Sequence, residues 1–314
     1  MKYLTEAMDD NTYEVISITD IEPLNTVDEV DEHGVIYLSN HTEHNFNTPL
    51  FSQSLVKCDW DLDAYSDGCR LAAKNSLIKT AKVLSLFDSS VKVKNYICEH
   101  IVFGDALDAQ KLCDQPPVTV ENCIFYSFGI HFKHNFENDL VTKWGCQGIG
   151  LDPSFNKDSE LKEGLLFMKF GANLLKNEEV SNKNWLMTSI PSLKRWLNHE
   201  KLAVLKLDCN GCEFALARDV SLEDPFFFEN LNQLSVKMHV SKKWIKNEEY
   251  LHNMGLLLYL IEKAGLILTR VEVSSCKQED EILGCPKFLS EIGYKCGPEY
   301  SCHHYLFGRR NQIL

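Results

Sequence analysis

Residues 123–130 read CIFYSFGI and residues 148–154 read GIGLDPS. Each stretch is a short, almost wholly apolar run that leads into a glycine or an acidic residue, which is typical of a buried strand followed by a turn. The segment between them, His134–Trp144, has the pattern of a helix. A strand, a helix and a second strand in this order predict a parallel βαβ unit.

The same alternation continues toward the C-terminus. Further helices are predicted from Pro191, over Cys212–Arg218 and over Tyr250–Ala264. Apolar runs predict strands at Leu165–Phe170, Leu202–Leu207, Gln233–Val240, Leu266–Val273 and Tyr305–Gly308. Because strands and helices alternate, the sequence predicts an α/β fold with a doubly wound, Rossmann-like, mostly parallel sheet.

The chain divides by composition into two regions. Residues 1–54 are rich in carboxylates with almost no counter-charge, so they predict an acidic, irregular extension that buries little surface. An acidic arm for a partner is the alternative interpretation. Residues 55–314 are predicted to form the folded domain, with its core in residues 117–309.

The charge balance and the apolar runs limit the possible partners. The formal net charge of -13 and the pI near 5.3 argue against nucleic acid, which needs a basic footprint. No apolar run reaches the roughly 20 residues that span a bilayer. The N-terminus turns acidic at once and lacks a signal pattern, so a cytoplasmic or other intracellular location is expected, or a secretory one if a leader has been removed.

The chain contains 12 cysteines. Their scattered spacing and the absence of a signal pattern favour reduced thiols. Four of them cluster near the C-terminus, where bridges would be expected in a secreted protein: Cys276, Cys285, Cys296 and Cys302. This cluster could also bind zinc, but it lacks a paired C-x-x-C spacing, and no metal site is predicted.

Ligands of open α/β sheets bind beyond the carboxyl ends of the strands. Gly129 follows the first core strand, where a glycine lets the backbone approach a ligand closely. Asp152 follows the second strand, about 20 residues further on, the distance at which an acidic side chain accepts hydrogen bonds from a ribose. The two signals together predict a cofactor site, although a strand-end aspartate is often a helix cap.

A second group of polar residues follows the next strands. Asp208 ends the strand Leu202–Leu207, Glu213 begins the following helix, and His239 lies at the same edge. Glu213 could equally be a helix cap at the positive end of the dipole. His239 could be structural, a base or a metal ligand. Cys209 and Cys212 form a C-x-x-C, for which a redox pair remains a minor alternative.

These residues resemble the FkbM-like methyltransferases. The similarity rests on the CIFYSFGI run, on Phe136-Glu137 and Gly145-Cys146, on the LDPS run, and on residues 205–214, which read LKLDCNGCEF. Met238-His239-Val240 and the segment that begins at Trp185 are also similar to that family. The resemblance covers Pro117–Arg309 and implies a seven-stranded class I fold with S-adenosyl-L-methionine as methyl donor.

The resemblance also implies roles for individual residues. The turn of Tyr126, Ser127, Phe128 and Gly129 would pack against the methionine part of the cofactor. Asp152 would hold the ribose, with Pro153 and Ser154 beside the adenine. Asp208 would lie near the sulfonium and the acceptor, with Glu213 and His239 on the acceptor side. If the acceptor is a hydroxyl, His239 or Asp208 is the expected base.

The acceptor side departs from the family pattern. Asn210-Gly211 lacks a carboxylate, Phe214 replaces a tryptophan, and Lys237 replaces an acid. These departures concern acceptor chemistry and do not touch the residues expected to hold the cofactor. The resemblance implies O-methyl transfer to a hydroxyl- or carboxyl-bearing acceptor, expected to be a small molecule or glycan, with lipids and protein side chains as open alternatives; the oligomeric state is also open. The alternatives are a binding protein that has kept the fold without catalysis, and a nicotinamide-dependent oxidoreductase, which the lone Gly129 disfavours.

Overall fold

A computed structural model describes about two thirds of the positions from residue 98 onward and short pieces before it. The described residues are 29–30, 36–37, 75–76, 98–105, 109–116, 123–130, 134–155, 160–175, 184–239, 241, 245, 251–274 and 302–309. The predicted extension, residues 1–54, and the predicted C-terminal cysteine cluster lie largely outside them, so the domain boundaries stay predictions.

The predicted strands and helices occur in the predicted order, and the structure adds short strands before and between them. The strands are β1 Glu29–Val30, β2 Ile36–Tyr37, β3 His100–Phe103, β4 Gln110–Cys113, β5 Ile124–Phe128, β6 Gln147–Leu151, β7 Glu160–Lys162, β8 Leu165–Met168, β9 Gly171–Ala172, β10 Met187–Thr188, β11 Leu202–Leu207, β12 Leu231–His239, β13 Leu266–Ser274 and β14 Cys302–Arg309. The α-helices are α1 Asn135–Trp144, α2 Ile190–Trp196, α3 Cys212–Glu223 and α4 Leu256–Lys263, the last preceded by a π-helical turn, Leu251–Gly255.

One sheet organises the fold, with strand order β13-β14-β12-β11-β5-β6-β8-β7. Strands β12, β11, β5, β6 and β8 pair in parallel. This confirms the doubly wound, mostly parallel α/β fold. The sheet has one strand more than the seven predicted, because β7 pairs antiparallel with β8 and lengthens the edge.

Strand β14 is inserted between β12 and β13. It runs antiparallel to both, from Gln233↔Gly308 to His239↔Cys302 on one side and from Leu266↔Arg309 to Ser274↔Cys302 on the other. Because β13 and β12 both run antiparallel to β14, β13 is parallel to the rest of the sheet. If β14 is left out, the parallel strands have the order of a doubly wound fold. The antiparallel β14 distinguishes this sheet from the all-parallel sheet of dinucleotide-binding domains.

The two faces of the sheet bury different sets of side chains. Tyr126, Phe128, Leu205 and Leu207 face the helices α2, α3 and α4. Cys123, Phe125 and Val204 face α1 and the β3–β4 hairpin. Since side chains alternate along a strand, Ser127 lies on this second face together with Lys206.

One disulfide joins the two ends of the β3–β4 hairpin, and another joins the entries of β5 and β6. Cys98 is bonded to Cys113, with Cα atoms 5.5 Å apart, and the Cys113 amide donates to Gln233 Oε1 on β12. Cys123 and Cys146, at the entries of β5 and β6, are bonded with Cα atoms 4.6 Å apart. The prediction of reduced thiols is therefore wrong for these cysteines, because folding brings residues far apart in sequence into contact.

Within the described part of the chain, no helix is both long and apolar enough to cross a membrane.

Candidate functional site

The turn after β5 lies against the end of β11. Gly129 has a φ of 77°, in the left-handed region that favours glycine, and its amide donates to the Leu151 carbonyl at 2.9 Å. A Cβ atom at Gly129 would overlap the backbone carbonyl of Asp208. The sequence therefore needs glycine here for two reasons, and the turn brings the ends of β5, β6 and β11 together.

Asp152 begins a tight turn after β6. Its Oδ1 accepts hydrogen bonds from the Ser154 amide at 2.8 Å and from the Ser154 hydroxyl at 2.5 Å. The side chain is buried, and the Asp152 amide donates to the Met168 carbonyl on β8. Asp152 thus stabilises the turn Asp152-Pro153-Ser154 through its side chain, which is close to the capping role that the sequence left open. The turn itself lies at the end of β6, where the sequence predicts the cofactor.

The other residues of the predicted cofactor turn point in different directions. The Tyr126 hydroxyl lies 2.8 Å from His199 Nδ1, on the helical face, and burial raises the pKa of Tyr126. Phe128 is buried in the same core. Ser127 is buried on the opposite face. The backbone of this turn contacts Asp208 twice: the Phe128 carbonyl accepts from the Asp208 amide at 3.0 Å, and Gly129 packs against the Asp208 carbonyl.

Ser127 belongs to a buried ionic cluster below the strand ends. Its hydroxyl donates to Glu137 Oε1 on α1 and accepts from Lys206 Nζ at 3.1 Å. Lys206 Nζ lies 3.3 Å from Glu137 Oε1, and both side chains are at most 5% exposed. Both Glu137 and Lys206 stand in the sequence motifs quoted above, but a charged residue among apolar ones does not reveal its partner, so the sequence predicts no role for either.

Asp208 lies between two cations at the end of β11. Its Oδ1 is 3.4 Å from Lys237 Nζ and 3.5 Å from His239 Nε2. Burial alone would raise the pKa of Asp208, but its hydrogen bond to His239 and the charge of Lys237 hold that pKa far below its usual range. Asp208 is therefore a carboxylate at any physiological pH, and its side chain stays 26% exposed.

Glu213 holds His239 from the other side. Glu213 Oε1 accepts from the His239 amide at 2.7 Å and lies 3.1 Å from His239 Nδ1, while Oε2 accepts from the Gly211 amide at 2.9 Å. Burial alone would lower the pKa of His239, but Glu213 and Asp208 raise it to about 9. The structure thus brings together all three predicted acceptor-side residues, with a buried imidazolium between two carboxylates.

The loop between β11 and α3 is shaped by its backbone and by its cysteines. Asn210 and Gly211 have φ values of 52° and 102°. Cys209 and Cys212 are bonded across this turn, with Cα atoms 5.6 Å apart. Cys209, Cys212 and Glu213 lie close enough to share an ion, as do Cys98, His100 and Cys113. Because these sulfur atoms are paired in disulfides, they are not the thiolates that bind metals.

The comparison with known families agrees with this geometry. A family model described as a methyltransferase domain matches residues 92–248, which is half of the chain. The chain belongs to this methyltransferase family. The match runs from the β3–β4 hairpin to beyond β12, so it contains Gly129, Asp152, Asp208, Glu213 and His239. No curated protein matches the chain.

Proposed function

We propose that this methyltransferase uses S-adenosyl-L-methionine and transfers its methyl group to an oxygen of a hydroxyl- or carboxyl-bearing small molecule or glycan. Within the family we place it beside the FkbM-like enzymes, on the motifs quoted above. The supporting observation is the convergence of Gly129, the turn at Asp152 and Asp208 at the carboxyl ends of three adjacent parallel strands. This edge is where open α/β sheets bind ligands.

The residues at this edge fit the proposed cofactor. Gly129 lets the turn after β5 pack directly against the Asp208 backbone, which a Cβ atom would prevent, and so keeps the ends of β5 and β11 close together. The segment Asp152-Pro153-Ser154 would lie beside the adenosine, and Asp208 would face the reacting centre. The cofactor supplies an electrophilic methyl group on a sulfonium. The chain's own contribution is to hold donor and acceptor in line, which is the main requirement of this reaction.

His239 and Glu213 serve a positioning role in this proposal. His239 is buried, and its contacts to Asp208 Oδ1 and Glu213 Oε1 hold the Asp208 carboxylate at the strand end. An imidazolium with a pKa of about 9 does not accept a proton at neutral pH, and His239 is only 5% exposed, so of these two residues Asp208 is the one that an acceptor can reach. His239, which the sequence offered as a possible base, therefore has a positioning role, and Asp208 keeps its predicted place near the acceptor.

The reaction can be measured without a known acceptor, as formation of S-adenosylhomocysteine from S-adenosylmethionine in the presence of a cell extract. We expect Asp208→Ala to lower this rate about 100-fold, because it removes the carboxylate that would face the reacting centre and that holds Lys237 and His239 in place. The exposed Lys201→Ala is the matched control and should leave it unchanged. Undiminished turnover in Asp208→Ala would contradict the role of Asp208.

We also infer that the chain folds in an oxidising compartment. Disulfides persist in secretory and extracellular proteins and are rare in the cytosol. The bonded pair Cys123 and Cys146 is almost completely buried and links the entries of two core strands. Peptide mapping of the protein without reductant should recover these residues as one linked peptide. Recovery of both as alkylated thiols would return the chain to the cytoplasmic location expected from its sequence.

A further inference from the structure

The acceptor side of the proposed site is formed by two charged pairs of different accessibility. His239 and Glu213 are buried, with side chains 5% and 0% exposed. Lys237 and Asp208 are 33% and 26% exposed. The opposite charges of His239 and Glu213 balance each other inside the protein. An incoming acceptor therefore meets the outer pair, Lys237 and Asp208.

Lys237 has hydrogen-bonding capacity to spare. An ammonium carries three donors, and Lys237 Nζ lies 3.4 Å from Asp208 Oδ1. Among the residues that the structure describes, no second group bonds this ammonium. Lys237 is also the more exposed member of the pair. It can therefore bind an anionic oxygen of a second molecule while it continues to balance the charge of Asp208.

Among the residues that the structure describes at this edge, none is a good proton acceptor. His239 is an imidazolium at neutral pH, because its pKa is raised to about 9. Asp208 has a pKa far below its usual range, which makes it a weak base. Both oxygens of Glu213 already accept hydrogen bonds, from the Gly211 amide and from His239. A hydroxyl acceptor must lose a proton during methyl transfer, whereas a carboxylate arrives without one.

We propose that the acceptor is a carboxylate, which Lys237 binds and orients, and that the product is a methyl ester. This proposal rests on the proposed methyltransferase function. A lone pair of the carboxylate oxygen forms the bond to the methyl carbon while the carbon–sulfur bond breaks and its electron pair passes to sulfur. The negative acceptor and the positive sulfonium become a neutral ester and a neutral thioether, and no proton is released.

The bond formed can be identified before the acceptor is known. The full chain is incubated with methyl-tritiated S-adenosylmethionine and the small-molecule fraction of an extract from cells that express it. The fraction is first divided on an anion-exchange resin into retained and unretained pools. The products are then treated with mild base, which hydrolyses methyl esters to volatile methanol and leaves methyl ethers and amines intact. We expect the label in the retained pool and its release as methanol.

The role of Lys237 is tested by reversing its charge. Lys237→Glu should raise KM for the retained pool at least about tenfold, with a much smaller change in kcat, since the lost contact is one of binding. Lys237→Arg should stay within about threefold of wild type because it keeps the cation. Lys201→Glu introduces the same charge change at an exposed position and should have no effect.

Each outcome separates this proposal from the one on which it rests. Base-stable label would overturn the carboxylate acceptor, and equal transfer by Lys237→Glu and wild type would overturn its binding by Lys237; either result would leave the methyltransferase function in place. Absence of label with calorimetric binding of S-adenosylhomocysteine intact would also overturn it and would favour a binding protein without catalysis. Absence of that binding would reject the proposed function itself.

Discussion

His239 and Glu213 are joined twice, through the His239 amide at 2.7 Å and through His239 Nδ1 at 3.1 Å, both to Glu213 Oε1. Because Glu213 lies in the first turn of α3 and His239 ends β12, this contact joins the helix after one core strand to the end of the next strand. It also sets the charge of His239 and, through it, the position of Asp208.

The stability of the protein should depend on pH through His239. The pKa of His239 is raised from 6.5 to about 9 in the folded chain, so folding binds a proton more tightly. The stabilisation is complete below pH 6.5 and is lost as the pH rises from 6.5 to about 9. Urea unfolding between these values should show wild type losing stability relative to His239→Gln. A constant difference between the two proteins would mean that His239 is neutral in the fold.

Gly129 should be essential to cofactor binding, and Gly265 provides a matched control. Both have left-handed φ values, 77° and 78°, but a Cβ atom at Gly265 meets nothing within 4 Å. Both alanine variants therefore carry a backbone strain of about 1–2 kcal/mol. Gly129→Ala also displaces Asp208 and should weaken binding of S-adenosylhomocysteine at least about tenfold, whereas Gly265→Ala should not change it. Equal affinities in calorimetry would show that this turn does not contact the cofactor.

Removing one member of the buried pair Lys206 and Glu137 should lower the free energy of unfolding strongly, whereas replacing both with apolar residues should lower it much less. Lys206→Met leaves the Glu137 carboxylate buried without its cation and should destabilise the fold by about 3–5 kcal/mol in urea unfolding. The double variant Lys206→Met with Glu137→Leu should recover most of that loss. Lys143→Met breaks the exposed ion pair with Asp139 and should cost less than about 1 kcal/mol. A double variant no more stable than the single one would show that the ion pair is needed for its own sake.

The disulfides should differ in their contribution to stability. Cys123 and Cys146 are 23 residues apart, so their bond restricts the unfolded chain and should contribute about 3 kcal/mol. Cys209 and Cys212 are only 3 residues apart, and their bond should contribute about 1.5 kcal/mol less. Thermal unfolding of the two paired serine variants compares them directly. A larger loss for Cys209→Ser with Cys212→Ser would mean that the loop between β11 and α3 depends on its disulfide.

The sheet could be predicted well because its strands carry a local signal. Leu202–Leu207 is apolar almost throughout, and the structure buries every residue of it, with the predicted bounds. The edge strand β7 was missed because ELK carries too little apolar surface to stand out. In the helix predicted over Tyr250–Ala264, the pattern of apolar residues was right, but the first turn is π-helical.

The position of the site could be predicted from the sequence, but the contacts between its side chains could not. Gly129, Asp152, Asp208, Glu213 and His239 follow successive strands, and parallel strands end at one edge, so their proximity follows from the order of elements. The sequence does not show that Lys237 contacts Asp208, that Glu137 contacts Lys206 or which cysteines bond. Those contacts depend on which side chains share a face and on how closely neighbouring elements approach.

The proposed use of S-adenosylmethionine is tested most directly by calorimetric titration of the full chain with S-adenosylhomocysteine and, separately, with NADH. We expect saturable binding of S-adenosylhomocysteine at one site per chain, weakened by Gly129→Ala, and no binding of NADH. Binding of NADH alone would assign the edge formed by Gly129, Asp152 and Asp208 to a nicotinamide cofactor and would contradict the methyltransferase function proposed for this site.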